Sequence, residues 1–339
     1  MSVQLLDVQG TPNASGSYPF VTASYPGGAT LFVNSATGID IRRRVKFANP
    51  TSQSGQRPAG TIGPTGDPAL PLASVFGPGG AISFCSANAG DTIIVAPGHT
   101  ETLTGTGAIN IPAGVTIIGS GYGASRPTFL WNATGQVLTP QGAVQLQNLI
   151  FDLTGIAAVV TGFSVGFGGV QFILCRFRQT SGANQAAAAV TIIAGGDDCQ
   201  FINTEFDANE SAGAANGIVA GAGNPSFKRA LISSGSYFHG NWSAAAVNLN
   251  STAAVEYLIE NSIIRNYSTT GVDLLLASGN ATTGAVVYSN LYTSATTTAG
   301  FLTNGAGTGM SYTQVFGSDQ AAGMTGNKNS ALFPAAGTN

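Results

Sequence analysis

One short pattern recurs six times between residues 145 and 295, and the recurrence leaves very few folds open. An apolar pair is followed by two or three polar residues, a second apolar pair, and then Asn, Gly, Ser or Thr. QLQNLIFDLTG (145–155) and QFILCRFRQTSG (171–182) show it first, then CQFINTEFDANES (199–211) and ALISSGSYFHGN (230–241), and last EYLIENSIIRNYS (256–268) and AVVYSNLYTSA (285–295). The second apolar pair falls at Phe151, Phe177, Phe206, Phe238, Ile264 and Tyr292, in steps of 26, 29, 32, 26 and 28 residues. Upstream, the runs that begin at Asp91 and Val115, each continuing Thr-Ile-Ile, lie 24 apart. Short strands repeating with this variable period mark stacked coils. Leucine-rich repeats of that length need a fixed Leu and Asn lattice, which is missing, and propeller blades need about 40 residues or more. A sandwich predicts turns but not the longer recurrence. Long segments with helical apolar periodicity and caps are absent. The expected fold is all-β, a right-handed parallel β-helix (solenoid).

Such a coil accounts for the composition. Bends between short strands need positive φ, which suits Asn and the 47 glycines. Backbone groups are satisfied between coils, and inward side chains stack in apolar ladders. Charged residues are 8 % of the chain, against about 25 % in an ordinary soluble domain. The surface is therefore built of Ser, Thr, Asn, Gln and Gly, which suits a chain packed among identical neighbours. The variable steps place insertions in one loop of each coil, and SGANQAAAA (181–189) and SAGAANGIVAGAGNPS (211–226) are read as such contact loops on one side.

Three regions are expected. Residues 1–68, rich in proline, form an extended, irregular N-terminal arm with a strand at LFVNS; 69–316 form the β-helix; 317–339 form an irregular tail. An open solenoid end exposes a strand edge, so ALPLASVFGPGGAISFCSANAG (69–90) is expected to cap the first coil, with AISFCSA as a short helix.

The runs LFVNSATG (31–38), AISFCSANAGDTIIVAPGHTETL (81–103) and GVTIIGSGYGASRPTF (114–129) resemble right-handed β-helix proteins among phage virion structural genes. The architecture is shared with pectate lyases and phage tailspikes; the resemblance is strongest over 30–130 and architectural beyond. It implies a non-enzymatic virion protein, often a homotrimer. Because the chain is smaller than most tailspikes and lacks a second sugar-binding domain, the expected role is a capsid decoration or head spike, with the major capsid protein or other virion proteins as partners. A tailspike or tail fibre that binds or cleaves host polysaccharide is the alternative. The formal net charge of −3 leaves no footprint for nucleic acid. No apolar run reaches the roughly 20 residues of a membrane span. The start MSVQLLDVQG lacks the features of a signal peptide, so assembly in the host cytoplasm is expected.

Candidate sites are few. β-helix enzymes cut acidic polysaccharides, and hydrolysis needs two carboxyls about 5–10 Å apart. Asp197, Asp198, Glu205 and Asp207 are the candidates. GGDD (195–198) resembles the Gly-Asp-Asp of polygalacturonases, but the rest of that family's set is missing. His239 and Arg265, one and two coils on, are expected to stack near these acids. The plain reading keeps Asp197 and Asp198 as corner residues capping backbone amides. Arg42, Arg43, Arg44 and Lys46 carry a third of the positive charge and are read either as a solvated loop or as a contact to an acidic capsid surface or neighbouring subunit. Cys85, Cys175 and Cys199 are expected as buried free thiols, His99 as a turn or packing residue, and the asparagines of the Asn-X-Ser/Thr sequons, Asn266 among them, as turn residues. Among the aromatics Tyr237, Phe238, Trp242, Tyr257, Tyr267 and Tyr292, most match ladder positions, with a sugar platform as the alternative. No metal and no cofactor are expected.

Overall fold

The structure, a computed structural model, describes residues 30–33 and 72–293 apart from short gaps (106, 155–160, 180–185, 209–213, 221–225, 252, 254, 269, 277–281 and 288), and the strands at 302–304, 310–313 and 316–317. Apart from the strand Thr30–Val33, the expected N-terminal arm lies outside the described residues, Arg42, Arg43, Arg44 and Lys46 included, as does the tail beyond 317.

One coil shows the plan. Gln171–Ile173, Arg176–Arg178 and Ala188–Ile192 lie on three different faces. Each pairs in parallel with its counterpart one coil on, at Gln200–Ile202, Glu205–Ala208 and Asn216–Ala220. Repeated along the chain, this gives a first face of ten strands, a second of nine and a third of eight, with every pairing parallel. Helix among the described residues is confined to two short turns, Ala81–Phe84 and Gly123–Ser125. The chain is a parallel β-helix, as the repeat predicts.

Side chains alternate in and out along each strand, and register stacks the inward ones. On the second face the inward column runs Phe129, Phe151, Phe177, Phe206, Phe238 and Ile264. The Phe177 and Phe206 rings lie 4.7 Å apart and those of Phe206 and Phe238 4.4 Å apart, both nearly parallel; such pairs add roughly 0.5–1.5 kcal/mol each beyond burial. The sequence steps are right to Ile264 and slip by one at the last: in backbone register Ile264 pairs with Leu291, and Tyr292 pairs with Arg265. A slip of one residue exchanges the faces, and in NLYT two adjacent apolar residues leave the choice open.

Opposite the rings, the third face runs Gly162, Ala189, Gly217, Ala246 and Asp273. The small residues make room for the aromatic stack. A Cβ on Gly217 would meet the Ala246 carbonyl oxygen at 2.7 Å and stand 3.5 Å from the Phe238 ring.

The corner from first to second face is two residues long in successive coils: Asn148–Leu149, Leu174–Cys175 and Asn203–Thr204. The leading residue has φ of 57°, 55° and 48°, a left-handed conformation that asparagine tolerates and leucine resists. The second residue points inward. The Cys175 thiol donates to the Leu146 carbonyl, the Thr204 hydroxyl to that of Phe172 and the Ser236 hydroxyl to that of Phe201. Cys175 thus fills a hydroxyl's place. It is buried and free, as are Cys85 and Cys199, and burial pushes its thiol up to about 12, which leaves it unreactive.

The N-terminal end is capped from within the ladder. Glu101, in register with Phe129, occupies the inward column of the first coil. Its carboxylate accepts from the backbone N–H groups of Val75, Phe76 and Gly77 at 2.6, 2.8 and 2.9 Å. His99, buried beneath the cap as a packing residue, stands 3.3 Å from it. The expected cap is therefore present, with a single short turn at Ala81–Phe84 as its helix.

Two other expectations change. The stretch 211–226, read as one loop, contains the third-face strand Asn216–Ala220, because Gly and Ala in NGIVA answer to the neighbouring rings and not to a turn. Segment length differs between coils at all three corners: 153–160 and 179–187 follow second-face strands, 193–199 and 221–226 follow third-face strands, and 120–127 follows a first-face strand. Asn266 is wholly buried at the end of a strand, where its amide donates to the Trp242 and Val272 carbonyls.

Candidate functional site

A cluster of acids and bases lies on the outside of the second face. Its inward column is fixed by the rings, so the residues on either side of each ring must point outward. One outward column reads Ile150, Arg176, Glu205, Tyr237 and Ile263; the other reads Asp152, Arg178, Asp207, His239 and Arg265. Each step is one coil, so acids and bases from sequence-distant segments become neighbours.

Arg176 bridges both acids of the next coil. Its Nη2 lies 2.7 Å from Asp207 Oδ2 and its Nε 3.3 Å from Glu205 Oε2. His239 Nε2 lies 3.0 Å from Glu205 Oε1 and its Nδ1 3.9 Å from Asp207 Oδ1. Its ring stacks on Tyr237 at 4.6 Å. Arg178 faces Asp152 at 3.7 Å, and Arg265 lies over the Tyr267 ring at 4.9 Å. Burial works to raise the Glu205 carboxyl, but the hydrogen bond from His239 and the charge of Arg176 outweigh it and hold the group below its usual range.

Beside this cluster, at the corner with the first face, lies a cleft of about 240 Å³ lined by Arg126, Leu174, Asn203, Thr204, Glu205 and Tyr237, among others. Arg126 comes from the longer turn around Gly123–Ser125 and donates to the Leu174 carbonyl at 2.9 Å. Partial burial lowers its guanidinium pKa.

The four sequence candidates separate into two pairs. Glu205 and Asp207 sit together on the second face, with His239 against them and Arg265 one coil further, as the stacking argument expects. Asp197 and Asp198 sit in the turn entering the first face. Asp197 accepts from the Lys228 backbone N–H at 2.7 Å, and Asp198 forms a two-bond pair with Arg229. Asp197 thus caps a backbone amide at the corner, as the plain reading expects, whereas Asp198 pairs with a side chain instead. Arg176 and Arg126 were missed by sequence reasoning. Arg176 was legible in principle, since it lies one step before Glu205 in the same repeat; Arg126 was not, because it reaches the cleft from an irregular turn.

Burial opposes the Glu205 charge, but His239 and Arg176 outweigh it and favour the ionised form, whereas the acid of a glycosidase pair is kept protonated near neutral pH. Tyr257, Trp242 and Phe238 are core residues, and Tyr237 faces outward. No helix among the described residues is long and apolar enough to cross a membrane. No family model, curated protein or solved structure matches the chain.

Proposed function

We propose that the chain is a non-enzymatic structural subunit of a bacteriophage particle, a trimeric capsid decoration or head-spike protein joined to the shell through its N-terminal segment. The observation that carries this reading is the state of the first and third faces. The outward columns of the third-face strands from Gly107 to Leu249, and of the first-face strands from Thr92 to Ile202, carry no charge, and they bond to themselves. Gln145, Gln171 and Gln200 form an amide ladder at 3.2 Å per step. Thr191 donates to Thr161, and Asn248 to Asn216. Surfaces without charge bury against a partner at low desolvation cost. The resemblance of 31–38, 81–103 and 114–129 to virion β-helices points the same way.

Electron cryo-microscopy of intact particles tests it. Many copies at symmetry positions on the head are expected, and particles lacking residues 1–48 of this chain should lose them; because that deletion also removes the core strand Thr30–Val33, circular dichroism of the truncated chain checks that the remaining solenoid stays folded. Absence of the chain from purified particles would sink the proposal.

The tailspike alternative is favoured by one feature, the cleft in which Tyr237, Asn203, Arg126 and Glu205 converge, since an aromatic face among amide and charged groups suits a sugar. A few copies at the tail tip, with binding of the isolated protein to host cells, would replace the first reading by this one.

A further inference from the structure

Three metal-ligating side chains meet on the outside of the second face. Glu205 and Asp207 flank the inward Phe206 on one strand and so project to the same side. His239 is the in-register partner of Asp207 on the next coil. One ligand atom from each lies within 4.8 Å of the others.

The carboxylates are held in a way that matters for binding. Arg176 takes Asp207 Oδ2 and faces Glu205 Oε2. The other oxygens, Glu205 Oε1 and Asp207 Oδ1, are left on the histidine side, 3.0 and 3.9 Å from its two ring nitrogens. Anchoring of ligand carboxylates from behind is how they are oriented in metal sites. Tyr237 braces the imidazole by stacking, at 25° between ring planes. Glu205 Oε1 and His239 Nε2 share a hydrogen bond at 3.0 Å, and an entering ion takes the place of its proton. Of the nearby cations, Arg178 pairs with Asp152, Arg265 lies over Tyr267 and Arg126 donates to the Leu174 carbonyl, while Arg176 stays on Asp207 Oδ2 and Glu205 Oε2. The ligand side chains keep 14 to 32 % of their surface exposed, and the cleft at Glu205 gives room for water.

We propose that Glu205, Asp207 and His239 bind one divalent transition-metal ion, of the zinc, cobalt, nickel or manganese class, and that the ion clips two successive coils together. An imidazole with two carboxylates suits these ions, while calcium and magnesium favour oxygen ligands alone. Three protein ligands leave the remaining positions to water. Because the ligands come from two coils that separate on unfolding, binding stabilises the folded chain by mass action. The site is independent of the virion reading and compatible with it.

The test uses the full-length protein, stripped with a chelator and then titrated with Zn²⁺ by calorimetry and with Co²⁺ by visible absorption. The expected result is saturation at one ion per chain and a thermal unfolding midpoint that rises with added Zn²⁺. His239→Gln and Asp207→Asn should each abolish saturable binding, and Asp198→Asn, on the first face, should leave it intact. All three positions are on the surface, and circular dichroism checks that the variants keep their strands. No saturable binding at one equivalent overturns the proposal, as does binding that survives His239→Gln in a folded protein.

Discussion

Two carboxylic acids stand where this solenoid otherwise places hydrocarbon, and their surroundings differ. Glu101, in the first coil, receives three backbone N–H groups from the cap. Asp273, in the coil of Val255–Glu260, Ile263–Asn266 and Val272–Leu276, receives one, from Asn266 at 2.7 Å. Its Oδ2 has no partner among the described residues. Burial raises its pKa well above the usual carboxylate range. The difference is one of supply. At the end of the stack, the cap's N–H groups have no preceding coil to bond, so they are free to converge on an acid. In the middle of the stack, nearly every N–H is committed to the neighbouring coil. There burial opposes ionisation of a carboxyl.

Removing Glu101 should be the costliest single change of this set. Glu101→Ala strands three amide donors beneath the cap, and a loss of about 4 kcal/mol in denaturant unfolding is expected. A loss below about 1 kcal/mol would mean that the cap docks through Val75 and Phe76 alone and that the anion is incidental.

Asp273 should respond the other way. Asp273→Asn removes a group that would have to ionise in a dry site, and a gain of about 2 kcal/mol at neutral pH is expected from the same unfolding measurement. A loss of that size would show that the acid has a partner the comparison overlooks.

The pH dependence sharpens the contrast. A carboxyl whose folded pKa is raised contributes stability that is fully present below its unfolded value, near 3.9, and that is lost as pH rises through the folded value. Unfolding free energy measured from pH 4 upward should therefore decline more steeply in the natural protein than in Asp273→Asn. Identical slopes would place the titration elsewhere.

The smallest effect belongs to the surface. Asp198 and Arg229 are both exposed, and such pairs are screened by solvent. Asp198→Asn should leave the unfolding curve where it is, and a clear shift would mean that the turn at Asp197 and Asp198 supports the first face more than its exposure suggests.

The sequence made the repeat visible because Phe and Ile mark the inward column and the bends carry Asn and Gly. It also placed Glu205, Asp207 and His239 near one another, since the step of 32 residues brings them into adjacent coils. Glu101 was hidden by the same rule. A carboxylate beside threonines in TETL reads as surface, and nothing in its neighbourhood announces that the segment at Val75 will descend on it. Asp273 in GVDLLL is hidden for a different reason: the small-residue column that admits it is spread over four earlier coils. Arg176 reads as an ordinary outward residue until the acids one coil later are placed against it.

The two-residue corner between the first and second faces has a consequence in genetic terms. Its leading residue holds a left-handed bend, and its second bonds back to the previous coil, so an insertion there would displace both ladders at once. The corners that follow the second and third faces carry no such double constraint, and segment length differs between coils there, as it does at the longer first corners 96–99, 120–127 and 234–236. Length variation in relatives of this chain is therefore predicted to spare the two-residue corners of the middle coils and to accumulate around them, giving a rod whose outline can be rewritten by mutation while its axis stays in place.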